Sequence, residues 1–264
     1  MNFRRRIEAI RKLIAGKGLD GALISSPQNK YYFGGLFSSS GYIVITRENQ
    51  YLMVDSRYFA EAKTKTDLFQ AVLLSAEHTV ERRLNSIVAG EGLAAIGFEG
   101  KELSYDAGRS LQAGVNCDLA SLDLAKLRAV KEPEEIEAIR QACAIADAAF
   151  RHILGHIREG MSERAVENEL LRFMRAQGGQ KESFDSIVAS GVRGALPHGK
   201  ASDKPIRKGE LVTLDFGVKY DYYCSDITRT IALGKCPAEL SEAYEVVRAA
   251  GEAAMRTAIR PREV

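Results

Sequence analysis

The hydrophobic residues of positions 1–125 follow two kinds of pattern, one typical of helices and one typical of strands. Apolar side chains three or four residues apart, such as Ile7, Ile10 and Ile14, are typical of one face of a helix. Short runs rich in β-branched residues between such segments are typical of strands. The pattern predicts helices over 1–15, 57–63, 79–88 and 104–113, a turn at 27–29, strands over 21–25, 42–45, 51–54, 71–74 and 94–98, and a short strand near Cys117. This alternation predicts an α/β domain over 1–125.

A second domain is predicted over 126–264, with long helices first and strands after them. Pro133 is a favourable helix start, because proline suits the first helical position and the glutamates after it suit the first turn. Ser162 has the side chain of an N-cap for the next helix, over 162–176. The pattern then predicts strands over 186–190, 211–218 and 222–233, and a last helix over 240–259 that stops before Pro261.

The composition excludes several classes of protein. With 37 basic and 35 acidic residues the formal net charge is +2, which argues against a dedicated nucleic-acid binder. No run approaches the roughly 18 apolar residues of a membrane-spanning helix. Charges at Glu8, Arg11 and Lys12 interrupt the apolar stretch that a signal peptide needs. Four cysteines without a C-x-x-C pair favour buried free thiols, so we expect a cytoplasmic protein.

The most informative segment is the pair of strand patterns on either side of Tyr220 and Asp221. If these two residues form a two-residue hairpin turn, Asp215 lies directly opposite Asp226. Directly opposed carboxylates repel each other, so the pair needs a compensating partner. One or two divalent cations would serve. A shared proton is a second explanation, and exposure of one or both groups to solvent is a third.

The histidines offer one further candidate. His198 lies between proline and glycine in a loop just before this hairpin, where it is placed either to donate a hydrogen bond to a developing oxyanion or to be an ordinary surface residue. His78, His152 and His156 lie on or beside helical patterns and are interpreted as surface or boundary residues. His152 and His156 are four residues apart, but no glutamate adjoins His152 as in helical metalloprotease motifs, so no metal site is predicted there.

Several segments resemble the pita-bread metallopeptidases, and within them the Xaa-Pro peptidases prolidase and aminopeptidase P. In the second half these segments are 183–191 (SFDSIVASG), 196–199 (LPHG), 208–217 (KGELVTLDFG) and 223–230 (YCSDITRT). In the first half, 29–35 (NKYYFGG) and 54–62 (VDSRYFAEA) resemble the creatinase-type N-terminal domain, and 131–136 (KEPEEI) resembles the junction between the domains. The resemblance covers essentially the whole chain.

The resemblance implies roles for four residues. Asp215 matches the first metal-ligand aspartate of the family and Asp226 matches the bridging aspartate. His198 matches the histidine that contacts substrate and stabilises the tetrahedral intermediate, and Thr228 matches a threonine that orients the bridging carboxylate or water. The implied cofactor is a pair of divalent ions, Mn²⁺ in the first place, with Co²⁺, Zn²⁺ or Fe²⁺ as substitutes. A water made acidic by the two ions would attack the scissile carbonyl.

The implied architecture is a creatinase-like mixed-sheet domain over 1–125 and, over 126–264, the N-terminal half of a pita-bread domain with a curved antiparallel sheet. The implied enzyme is a cytoplasmic homodimer that hydrolyses the Xaa-Pro bond of peptides with proline at the second position, or of dipeptides. The family site has two Asp, one His and two Glu, and no histidine follows His198 here. We therefore expect the 264 residues to be part of a longer enzyme and to hydrolyse no Xaa-Pro peptide alone.

Two other functions stay open at this point. The chain is alternatively a pita-bread relative that has lost catalysis and binds peptides or proteins, which the absence of the later ligands favours. Metal-free, creatinase-like hydrolysis of a C–N bond is a third reading. The presence of both Asp215 and Asp226 argues against it, because that branch does not keep the pair.

Overall fold

The computed structural model describes residues 1–65 and 67–257. It divides the chain into two compact units, Met1–Glu132 and Pro133–Val264. The predicted helix end at Ile259 and the stop before Pro261 lie outside the described residues. Within the described ranges, no helix has both the length and the apolar character needed to cross a membrane.

The first unit is built on one six-stranded mixed sheet. Its strands are β1 (Gly21–Ile24), β2 (Tyr42–Thr46), β3 (Gln50–Val54), β4 (Gln70–Leu73), β5 (Ala95–Phe98) and β6 (Asp118–Ser121). Their order is β4-β3-β2-β1-β5-β6, with β2 antiparallel to both neighbours and the other three pairings parallel. Its helices are α1 (Phe3–Gly16), α2 (Pro27–Gly34), α3 (Ser56–Lys65), α4 (Val80–Glu91) and α5 (Tyr105–Gly114).

Both faces of this sheet are buried under helices. Successive side chains of a strand point to opposite faces, and β1 follows this rule. Ile24 packs in a cluster with Ile10 of α1, whereas Leu23 packs in a second cluster with Leu84 of α4 and Leu111 of α5. The predicted α/β architecture is confirmed, and the predicted strands and helices of this half are all present with ends shifted by a few residues.

Residues 27–29 begin a helix, so the predicted turn there was wrong. Pro27 is the first residue of α2, and the Ser26 hydroxyl caps the helix by accepting a hydrogen bond from the Asn29 N–H at 3.3 Å. Proline fits this position because the first helical N–H has no intrahelical partner. The buried carboxylate of Glu99 accepts hydrogen bonds from the Ser26 N–H and hydroxyl, both at 2.8 Å, and so holds the start of the helix.

The second unit places two helices before its sheets. They are α6 (Pro133–His156) and α7 (Glu163–Ala176), which confirm the predicted helices and the Ser162 N-cap. The strands are β7 (Lys181–Glu182), β8 (Ile187–Ser190), β9 (Leu211–Phe216), β10 (Val218–Tyr220), β11 (Tyr223–Cys224) and β12 (Ile227–Ala232). They form two antiparallel sheets, β11-β10-β7 and β12-β9-β8, and are followed by α8 (Ala238–Thr257).

The single strand predicted over 211–218 is divided at Gly217. A Cβ atom at this position would lie 2.0 Å from the Ser225 carbonyl oxygen, so only glycine permits this approach of the two chains. Strands on both sides of the break share one core with the helices, since Leu214 of β9 and Val218 of β10 belong to one buried cluster. Ala146 of α6 and Leu170 of α7 belong to the same cluster.

The hairpin turn lies one residue later than predicted, on Asp221 and Tyr222. Tyr220 pairs with Tyr223, and both turn residues have positive φ, 43° and 66°. A two-residue hairpin turn of this kind needs positive φ at both positions, and aspartate tolerates that conformation better than most residues. The later turn puts aspartate at the first of these positions, where the predicted turn would have put Tyr220.

We expect Tyr222→Gly to be more stable than Tyr222→Ala by about 1 kcal/mol, because only the alanine variant keeps the steric cost of a Cβ in left-handed backbone. Both variants lose the tyrosine ring equally, so the comparison isolates the backbone. Urea unfolding of the two proteins measures the difference. Equal stabilities would mean that the turn stores no such strain.

The burial of the cysteines differs from the prediction. Cys143 and Cys224 are exposed and Cys117 and Cys236 are half-buried, so the prediction of buried thiols was wrong. All four are free.

Candidate functional site

One cleft of the second unit is lined by three of the four predicted site residues. It has a volume of about 430 Å³ and is lined by Phe184, Asp185, Ile187, His198, Lys200, Asp215 and Asp226. Three residues singled out from the sequence, far apart in the chain, therefore share one surface. Asp215 is half-buried, and Asp226 and His198 are exposed.

The two aspartates lie on one face of the sheet but are not directly opposed, which corrects the predicted pairing. Asp215 of β9 pairs with Thr228 of β12, and Asp226 precedes Thr228 by two residues. Residues two apart along an extended chain point to the same face, and both carboxylates line the cleft. Because the turn lies one residue later than predicted, Asp226 is the diagonal neighbour of Asp215, an arrangement with about 7–8 Å between the residues and less charge repulsion.

Thr228 contacts the first aspartate of the pair. Its Oγ1 donates a hydrogen bond of 2.8 Å to Oδ1 of Asp215. The contact follows directly from the strand register, which places the two residues opposite each other. The hydroxyl thus restrains one oxygen of Asp215. The role implied by the resemblance, orienting the bridging carboxylate or water, stays a prediction.

The donor set of the cleft suits a hard divalent cation. Carboxylate oxygens are the ligands that Mg²⁺, Ca²⁺ and Mn²⁺ prefer, and Asp215 and Asp226 supply them from one face. Lys200, the lysine that lines the same cleft, forms an ion pair with Asp185, with 2.6 Å between Nζ and Oδ2. That hydrogen bond lowers the pKa of Asp185 and raises the pKa of Lys200. The carboxylates of Asp215 and Asp226 are therefore suitable ligands for a divalent metal ion in this cleft.

A buried glutamate that the sequence analysis did not single out anchors the loop of His198. Glu163, the first residue of α7, is fully buried. Its Oε1 accepts hydrogen bonds from the N–H and hydroxyl of Ser190, at 2.8 and 2.9 Å. Its Oε2 accepts from the N–H and hydroxyl of Ser202, at 3.1 and 2.7 Å, and from Nε of Arg193 at 3.0 Å. One carboxylate thus holds both ends of the segment that contains His198.

This anchoring has an electrostatic consequence. Burial alone would raise the pKa of Glu163, but the hydrogen bonds from Ser202 and Ser190 outweigh it and hold the pKa below its ordinary value. The carboxylate is therefore ionised at neutral pH. In the sequence, Glu163 is notable only as an acid directly after the N-cap. Such an acid also occurs at exposed helix starts, so the pattern does not predict its burial.

Comparison with known proteins agrees with the two-unit architecture. Residues 6–130 match the profile of the creatinase/prolidase N-terminal domain, and residues 137–264 match that of metallopeptidase family M24. An uncharacterized peptidase of Bacillus subtilis, YqhT, is 42% identical over 92% of this chain and 69% of its own length. The Xaa-Pro dipeptidase of Pyrococcus furiosus is 35% identical over 97% of this chain and 72% of its own length.

Solved structures give the same result. The Xaa-Pro dipeptidase from Bacillus anthracis superimposes with a TM-score of 0.89 at 38% identity, over 93% of this chain and 69% of that protein. The prolidase from Pyrococcus horikoshii superimposes with a TM-score of 0.86 at 33% identity, over 95% of this chain and 71% of that protein. The pita-bread fold implied by the sequence motifs is thereby confirmed, and the chain belongs to the M24 metallopeptidases that carry a creatinase/prolidase N-terminal domain.

Proposed function

We propose that this chain forms part of a metal-dependent peptidase that cleaves the Xaa-Pro bond of dipeptides or of the N-terminus of peptides. The observation that carries the proposal is the shared cleft of Asp215, Asp226 and His198. The Xaa-Pro dipeptidases among its relatives support the same substrate class. We propose a cytoplasmic homodimer as its state in the cell, and four free thiols fit a reducing compartment.

The residues of the cleft have separate tasks in this proposal. Asp215 and Asp226 would be ligands of two divalent ions, and these ions would supply polarisation of the scissile carbonyl and a water acidic enough to act as nucleophile at neutral pH. Thr228 restrains Asp215 through its 2.8 Å hydrogen bond, so the carboxylate keeps one orientation. His198, held at the edge of the cleft, donates an N–H to the carbonyl oxygen as that oxygen gains negative charge.

The test begins with the protein purified from its native cells. Its intact mass identifies the polypeptide on which metal content and hydrolysis are then measured. We expect turnover of Xaa-Pro dipeptides that a chelator abolishes and Mn²⁺ restores, because oxygen ligands suit this ion. A metal-free preparation that binds proline peptides without cleaving them would instead support the inactive binding module.

We expect Thr228→Val to weaken Mn²⁺ binding at the cleft about 10- to 100-fold, the usual effect of losing a hydrogen bond to a metal ligand. Thr230→Val is the matched control, because Thr230 lies on the same strand and its hydroxyl faces Thr213 at 3.4 Å. Electron paramagnetic resonance of free Mn²⁺ measures both affinities. Equal affinities for the two variants would show that restraint of Asp215 is unimportant.

A further inference from the structure

A second group of metal-ligating side chains lies between α6 and α7. His152 and His156 of α6 and Glu169 of α7 each offer one ligand atom, and these atoms all lie within 4.8 Å of one another. The two histidines share a helix face because they are four residues apart. No glutamate adjoins His152 in the sequence, so the spacing alone predicted no metal site there. The structure supplies the carboxylate from the neighbouring helix.

The group is held in position by its surroundings. The ring of His152 stacks on Phe173, with centroids 4.2 Å apart and an interplanar angle of 14°. Its Nε2 lies 2.5 Å from Oε1 of Glu169. The ring of His156 lies 5.7 Å from that of His152, nearly parallel to it. His152 and Glu169 are half-buried and His156 is exposed, so an ion would reach the group from solvent.

One cation competes for the glutamate. Arg172 donates from Nε to Oε2 of Glu169 at 2.8 Å and from Nη2 to Oε1 at 2.6 Å. These bonds, with the contact to His152, lower the pKa of Glu169 to about 2, so the carboxylate is ionised at neutral pH. The Arg172 side chain is 64% exposed and can turn into solvent at small cost, because exposed ion pairs contribute little.

We propose that His152, His156 and Glu169 bind a Zn²⁺ ion that bridges α6 and α7. The ligands would be two imidazole nitrogens, one carboxylate oxygen and a water molecule as the fourth. This is a tetrahedral set typical of zinc. Imidazole ligands favour Zn²⁺, whereas the all-oxygen pair Asp215 and Asp226 suits Mn²⁺. The proposal shares no residue with that cleft and does not depend on the peptidase function.

The test uses tag-free protein carrying Asp215→Asn and Asp226→Asn, so that the cleft cannot supply the signal. In this background we expect one Zn²⁺ per chain, a rise in melting temperature on adding Zn²⁺ but not Mn²⁺, and X-ray absorption with two imidazole ligands. Binding to the folded state stabilises it by mass action. Co²⁺ in place of zinc should give the strong visible bands of a tetrahedral site.

Further substitutions separate ligation from a merely structural role. His156→Ala, at an exposed position, should weaken Zn²⁺ binding at least tenfold without lowering the metal-free melting temperature. Arg172→Gln should tighten binding, because it removes the competitor of the ion. His78→Ala is the control and should change neither value. Zinc affinity that is unchanged in His156→Ala, or X-ray absorption without imidazole ligands, would overturn the proposal.

Discussion

Glu163→Ala should lower the free energy of unfolding by about 3–5 kcal/mol, the range seen when one partner of a buried ionic network is removed. The side chain is 0% exposed and accepts five hydrogen bonds, from Ser190, Arg193 and Ser202. Alanine leaves the N–H groups of both serines without this acceptor. The loss should therefore loosen the segment that carries His198 as well as destabilise the fold.

Urea unfolding and hydrogen–deuterium exchange test the two parts of this prediction separately. Exchange should accelerate at the amides of Ser190 and Ser202 and in the residues between them. Asp203→Asn is the matched control, because Asp203 forms an ion pair with Arg164 at 2.9 Å that is exposed to solvent and therefore contributes little to stability. If Glu163→Ala were as stable as this control, Glu163 would not anchor the segment that carries His198.

Lowering the pH should weaken the same hydrogen-bond network around Glu163. Because the folded-state pKa of Glu163 lies below its ordinary value of 4.5, its contribution is complete above that pH and is lost as the pH falls through the lowered pKa. Glu163→Gln cannot ionise and lacks this dependence. The stability difference between the wild type and Glu163→Gln should thus be constant near neutral pH and shrink below about pH 4.5. A difference that persists unchanged in acid would contradict an ionised Glu163.

Features that depend on adjacent residues were predictable from the sequence. Ser162 caps α7 as expected, since an N-cap needs only a suitable side chain and the N–H three residues later. The start of α2 was missed because a Ser-Pro segment also begins turns. Glu99 favours the helix start over a turn, because it accepts a hydrogen bond from the Ser26 N–H although it lies 73 residues away in the sequence.

The candidate cleft was predictable in part for a geometric reason. Moving the hairpin turn by one residue, to Asp221 and Tyr222, shifts every cross-strand pair by two positions and so preserves which face each side chain occupies. Asp215 and Asp226 therefore share a face in either register, although their direct opposition was wrong. The residues that act across helices and loops, Glu163 and Glu169, were not predictable, because their partners come from distant segments.

Asp226→Asn should reduce kcat/KM for Xaa-Pro peptides at least about a thousandfold in the enzyme isolated from its native cells. The metal's stabilisation of the developing charge is worth several kcal/mol, and each 1.36 kcal/mol is a factor of ten in rate. Asparagine keeps the size of the side chain but removes the negative charge that would hold the cation in the proposed site. Because Asp226 is exposed, the variant should fold as the wild type does, and its metal content should fall together with its activity.

Asp185→Asn is the control that separates ligation from the total charge of the cleft. Asp185 lines the same cleft and loses the same charge, but its carboxylate is paired with Lys200. We expect this variant to keep its metal and most of its activity. Equal inactivation by both substitutions would mean that the cleft attracts its substrate or ions through net negative charge. Loss in Asp226→Asn alone would mean that the position of that one carboxylate, fixed by the hairpin register, decides the chemistry.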